Sequence, residues 1–245
     1  MNPAFAPIPI IEILGPAEQG LSRPYKCRGE DGLLYYVKGR QTDRHSLWSE
    51  WLCGHLAVAL GLKLPPFRLV EISTELLLET RDDCRNIGAG IAFASEHHPN
   101  PTWFEPGFAA KVPLEIQRDI LMFDWWIGNM DRTRGNPNLL WDAAQQQVVV
   151  IDHNRAFDRD FCAPEFAESH IFANVFDSVF NDLVTRDEYA QRLSKALAEW
   201  PLACDNAPLE WRWANPERDV PANFDIAVAK TFLERCQSAE LWRMV

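Results

Sequence analysis

Four branched apolar residues in a row, Val148-Val149-Val150-Ile151, end on a carboxylate, Asp152. A short continuous apolar run of this kind reads as a buried strand. An acid at its end lies close to the core, where an unpaired charge is costly and calls for a partner or a cation. Upstream lies a loop rich in Gly, Asn and Arg that carries Asp131, Asn136 and Asn138. The spacing predicts a hairpin of Asn138–Trp141 against Val148–Ile151, which would bring loop and strand end together. Two carboxylates and an amide in one place are what a magnesium-dependent phosphoryl transfer requires: an acid to orient the acceptor, and oxygen ligands for a hard cation.

Other elements follow from periodicity and punctuation. Ile8–Leu14 reads as a strand closed by Gly15-Pro16, and Tyr25–Cys27 as a second. Gly29-Glu30-Asp31-Gly32 marks a turn into Leu33–Val37, which ends on Lys38. Apolar residues at three- and four-residue steps predict a helix over Arg44–Leu60 with Gly61 as its C-cap and Glu50 near its apolar stripe. Phe67–Ile72 reads as a strand, with Glu75–Glu79 as its partner, and Ile91–Ala94 as another. His97–Pro101 reads as a linker. Beyond it, Pro113 opens a helix buried through Ile116, Ile120, Leu121, Phe123, Trp126 and Ile127. Further helices are expected over Ala163–Asn181, Thr185–Trp200 and Ala222–Cys236. The expected fold class is α+β and two-lobed: a β-rich N-terminal lobe with one helix over residues 1–95, and a mainly helical lobe over 96–245.

Composition narrows the function classes. With 24 basic against 35 acidic residues the net charge is −11, which disfavours general binding to nucleic acid or to anionic membranes. Six scattered cysteines form no Cys-x-x-Cys pair and read as reduced and structural. The apolar N-terminal segment lacks a preceding basic residue and is too short to span a bilayer, so the expected location is cytoplasmic. His97-His98 has no Glu or Cys at ligand spacing and is not a metal site. No Gly-x-x-x-x-Gly-Lys motif is present. The ten tryptophans read as core and partner surface rather than as a base-stacking platform.

A polar turn, a strand-end lysine, a helix glutamate, Asp-x-x-x-x-Asn and a strand-end Asp occur in the order of parts of a two-lobed kinase. The chain resembles the HipA-like kinases, an atypical branch of the protein-kinase-like fold, in compact form. The resemblance is carried by Gly20-x-Ser22-x-Pro24, Tyr36-Val37-Lys38, Ser49-Glu50, Leu60-Gly61-Leu62-x-x-Pro65, Asn129-x-Asp131, Asn136 and Ile151-Asp152. The Asp131 loop and Ile151–Phe157 are also similar to type II phosphatidylinositol kinases.

What the resemblance implies is an ATP- and Mg2+-dependent phosphotransferase, acting on Ser or Thr of a protein. Asp131 would be the catalytic acid; Asn136 and Asp152 would hold Mg2+, with Asn138 as rival to Asn136. Lys38 would contact the α and β phosphates with Glu50 as its ion-pair partner. Backbone amides of Gly20, Leu21, Ser22 and Arg23 would cover the phosphates, and adenine would lie near Phe93, Ala94 and Ser95. Members of the family carry a His two residues after the catalytic Asp, where this chain has Thr133. A pseudokinase scaffold, and a kinase of small molecules or lipid headgroups, remain alternatives. An antitoxin-like DNA-binding partner is the further expectation, with no direct contact of this chain to nucleic acid or membrane.

Overall fold

The computed structural model describes residues 5–17, 23–97 and 102–244, gathered in two compact units. The first takes the chain up to Trp51, the stretch from Pro65 through the fifth strand, and the distant segment Leu202–Phe224. The second takes Leu52–Leu64, the stretch from Thr102 to Pro201, and the chain from Asp225 onward.

Five strands build the first unit: β1 (Ile8–Pro16), β2 (Tyr25–Gly29), β3 (Leu34–Lys38), β4 (Phe67–Ile72) and β5 (Gly90–Glu96). They close into a barrel in the order β1-β2-β3-β5-β4. All neighbours are antiparallel except the closing pair, where Ile8 and Pro9 run parallel to Val70 and Glu71. Alternation along the strands turns Tyr25, Cys27, Tyr35 and Val37 inward, onto Val70, Ile72, Ala92 and Ala94. Gly15 and Pro16 continue β1 rather than close it, pairing with Lys26 and Tyr25 beyond register shifts that bend the strand.

Two α-helices accompany the barrel, not one. Helix α1 (Arg44–Leu60) has the expected bounds. It ends in a Schellman turn: the Gly61 N–H donates to Val58 O and the Leu62 N–H to Ala57 O, with Gly61 at φ +98. The expected strand at Glu75–Glu79 is instead helix α2 (Thr74–Glu79). Both flanks of β4 are already taken by β1 and β5, and Ser73 caps the helix by accepting the Leu76 N–H at 3.0 Å. Leu76 and Leu77 pack on the barrel core.

The second unit holds a three-stranded antiparallel sheet, β6 (Thr102–Trp103), β7 (Leu139–Asp142) and β8 (Gln147–Val150). Its central helix, α3 (Leu114–Ile127), is buried on every face from Ile120 to Ile127. Trp125 is ringed by Phe161, Phe166, Phe176 and Phe180. Its indole N–H donates to Leu241 O, and that of Trp126 to Leu233 O. The helix expected over Ala163–Asn181 is broken into α4 (Ala163–Ser169), a 3-10 turn at Ala173–Val175 and α5 (Phe176–Phe180). The break falls at His170, whose ring is drawn to an acid on α3 while its backbone bridges Thr133. The last expected helices are α6 (Leu183–Ala196), a 3-10 turn, α7 (Trp200–Asn206), and α8 (Ile226–Glu234), capped by Asp225 rather than starting at Ala222.

Gly128 terminates α3 in the left-handed region, φ +64. A Cβ there would lie 2.9 Å from the Phe232 ring. Gly128→Ala is expected to cost about 1–3 kcal/mol, read as a lower urea midpoint at unchanged slope.

Candidate active site

In the first unit, strand β3 delivers Lys38 to the barrel's end and α1 delivers Glu50. The Lys38 ammonium is ion-paired and hydrogen-bonded to Glu50 Oε1. Both residues are buried, at 8% and 3% exposure. A pair this enclosed gives up much hydration, so it is weak evidence of stabilisation and stronger evidence of a task. Every residue of α1 from Leu47 to Trp51 is buried, Glu50 among them. Phe93 stands beside Lys38 on β5, stacked on Phe67 at 5.8 Å.

Phe93, Ala94 and Ser95 pair with β3 on one side and β4 on the other. Their backbone groups are therefore committed to two ladders. Arg23 is held at φ +38 on the approach to β2. Gly20, Leu21 and Ser22 lie outside the described residues, as do four of the five residues of the expected linker.

In the second unit, the αL end of α3 turns the chain into the Asn129–Asn138 loop. Two amides converge on one oxygen of Asp131: Asn136 Nδ2 donates to Oδ2 at 3.0 Å and Asn138 Nδ2 donates to the same atom at 2.9 Å. This leaves Oδ1 as the oxygen those amides do not engage. The Asn129 side chain accepts the Asp131 N–H at 3.2 Å. Thr133 shapes the turn by accepting the Asn136 N–H at 3.2 Å. The rivals Asn136 and Asn138 are thus both part of the acid's setting.

Asp152 follows β8 with its backbone at φ +61, and Asn138 precedes β7 at φ +46. Left-handed backbone is uncommon outside glycine and most accessible to Asn and Asp. Such positions cluster at active sites, where the surrounding structure over-determines them. The two residues are neighbours through the hairpin, since the Ile151 N–H donates to Asn138 O at 3.2 Å.

The group that fixes this geometry was not among the sequence candidates. Arg132 is fully buried. Its Nε donates to Asp124 Oδ2 at 2.6 Å and its Nη2 to Asp124 Oδ1 at 3.3 Å. Its Nη1 donates to Ile151 O at 3.1 Å, to Pro137 O at 3.4 Å, and to Asn138 O. One guanidinium thus ties α3, the loop bearing Asp131 and the strand end bearing Asp152. Asp124 also accepts from Asn129 Nδ2 at 2.9 Å and lies 3.0 Å from His170 Nε2. The Phe172 N–H donates to His170 Nδ1, so Nδ1 is bare and Nε2 carries the proton toward Asp124. A signal existed in the sequence: Asp124 is an acid inside the apolar run Ile120–Ile127.

Burial would raise the Asp124 carboxyl, but the Arg132 charge and the hydrogen bonds from His170 and Arg132 hold it down at about 2. A carboxylate depressed on folding contributes stability above its unfolded pKa and loses it as pH falls through the folded one. Burial pushes His170 down despite Asp124, so the folded state resists its protonation. Both groups therefore weaken the fold in acid, His170 from below about pH 6.5 and Asp124 between about 4 and about 2. Arg132→Met is expected to cost about 3–5 kcal/mol, and Arg132→Met with Asp124→Leu less than the sum of the two alone. Urea unfolding of the four proteins checks this, and additive losses would count against a coupled pair.

The family model described as HipA-like kinase matches residues 10–245. No curated protein matches the chain in sequence. Among solved structures, the Golgi casein kinase is similar over 95% of this chain and 74% of its own, at 14% identity and a TM-score of 0.52. The same kinase with Mn/ADP bound matches with a TM-score of 0.49, at 14% identity, over 98% of this chain and 75% of its own. The Helicobacter pylori proinflammatory kinase CtkA matches with a TM-score of 0.46 and 14% identity, over 96% of this chain and 93% of its own. The shared α+β architecture is that of the protein-kinase-like folds.

Proposed function

The chain belongs to the HipA-like kinase family, and on that premise we propose that it moves the γ-phosphate of ATP, with Mg2+, to a Ser or Thr hydroxyl of a protein. The observation that carries this reading is the convergence of Asn136 and Asn138 on Asp131. Two amide donors on one oxygen stabilise the ionised carboxylate and aim the other oxygen, which is the form an acid needs in order to accept or orient a hydroxyl proton.

The remaining roles follow from the chemistry of each group. Lys38, steadied by Glu50, serves as the positive contact for the α and β phosphates. Asp152 and Asn136 supply a carboxylate and an amide oxygen, the hard donors that Mg2+ prefers. Asn138 supports Asp131 and is the alternative amide ligand. Among the described residues no group of three or more His, Cys, Asp or Glu could hold a metal ion. An ion held by these residues would complete its shell with oxygens from the nucleotide and from water. When bound, it would offset the charge that builds on the transferring phosphate.

Acceptor class rests on the family and on charge. A net charge of −11 is poorly suited to an anionic membrane surface. No helix among the described residues is long and apolar enough to cross a membrane. We read the acceptor as a protein met in the cytoplasm, and an antitoxin-like partner as a separate expectation to be tested by co-purification.

Phosphotransfer from radiolabelled ATP with Mg2+ tests the reading. Asp131→Asn should lower kcat by about 10²–10⁴ while nucleotide still raises the thermal midpoint. Asp152→Ala and Asn136→Ala should instead raise the Mg2+ concentration needed for turnover. Turnover unchanged in Asp131→Asn would sink the proposal. A midpoint that rises with ATP in a wild type without turnover would favour a scaffold.

A further inference from the structure

Resting on the kinase reading, we infer that the return segment Leu202–Phe224 is the element that positions Glu50, and that Trp48 and Trp51 are the positioning residues through which it acts. The two indoles bracket Glu50 in sequence, and each donates its N–H to the return segment. Trp48 Nε1 bonds to Trp211 O at 3.0 Å, and Trp51 Nε1 to Ala203 O at 2.8 Å. Two further ties reach the start of the same helix: Arg44 Nε to Trp213 O at 2.9 Å, and the His45 N–H to Asn223 Oδ1 at 3.0 Å. Phe224 lies flat on Trp48, ring planes 8° apart and centroids 5.7 Å.

The segment holds the barrel as well. Glu210 Oε1 accepts the Ile91 N–H at 2.9 Å, and Trp211 Nε1 donates to Ile91 O at 2.9 Å. Ile91 lies near the start of β5, whose Phe93 pairs with Lys38. Gly90 belongs to this contact: a Cβ there would meet Glu210 Oε1 at 2.7 Å. Trp211 is fully buried between the two attachments. One segment therefore grips both the helix that carries Glu50 and the sheet that carries Lys38, and fixes the distance across which the ion pair forms. Nothing in the lysine–glutamate pair itself could do this, since a single ion pair between two long side chains leaves helix and strand free to shift.

The test reads Lys38 directly and does not depend on turnover. Acetylation of the six lysines by an N-hydroxysuccinimide ester is followed by mass spectrometry, with exposed Lys230 as the internal reference. Trp48→Phe keeps an aromatic ring against Phe224 while removing the N–H together with part of the indole; Trp51→Phe does the same at the other tie. The double variant is expected to raise the Lys38 rate about fivefold or more through local opening, and Glu50→Gln is expected to raise it as well. In the Glu50→Gln background the two tryptophan substitutions should then add nothing. Overturning results are an unchanged Lys38 rate in the folded double variant, or the same fold-increase with and without Glu50. Should the double variant fail to fold, as judged by its thermal transition, Trp48→Phe alone decides by the same comparison. A wild type that never turns over ATP would remove the kinase reading while leaving the labelling result to judge the positioning role.

Discussion

A single guanidinium, that of Arg132, ties helix α3 to the loop bearing Asp131 and to the strand end bearing Asp152. Left without Asp124 it would be an unpaired charge in the interior, and left without Arg132 the carboxylate would be one. Each is therefore committed to the other, and the remaining donors of the guanidinium are aimed at carbonyls of the loop and of the strand end. The consequence is that the separation between Asp131 and Asp152 is not set by either acid. It is set by a neutral network beneath them, completed by Asn129 and the fixed tautomer of His170, which also ends a helix that sequence periodicity would have continued.

The buried pairs Asp124–Arg132 and Lys38–Glu50 differ in kind. Asp124 and Arg132 are satisfied on all sides by protein groups, and the strong depression of the Asp124 pKa follows from that saturation. Lys38 and Glu50 join elements that a third segment has to hold in register. A pair of the first type locks a loop; a pair of the second type joins a strand and a helix of the barrel unit.

Much of this was legible in the residues. The strand ending on Asp152, the strand ending on Lys38, and helix α1 to its exact glycine cap followed from apolar runs and punctuation, because those signals are local. Glu75–Glu79 was misread because three leucines suit helix and strand alike, and only the prior occupation of both edges of β4 decides between them. The helix over Ala163–Asn181 has the right phenylalanines at the right steps, but its break comes from a side-chain bond between His170 and an acid 46 residues away. The expectation of one helix in the N-terminal lobe failed for the same reason as the strand. Arg132 escaped notice because an arginine in a loop gives no local sign of being buried, although the acid inside the apolar face of α3 did mark a partner waiting to be found.

The segment Leu202–Phe224 joins a barrel whose last strand ended more than a hundred residues earlier in the chain. During synthesis, a β-rich unit of this kind would emerge early and stay incomplete, its helix α1 lacking the face that Trp211 covers, until Leu202–Phe224 had left the ribosome. Domains that close by such late contacts fold slowly and expose apolar surface in the interval. A unit so arranged can close only once that segment has been made, so the order of translation sets when its helix α1 gains its cover.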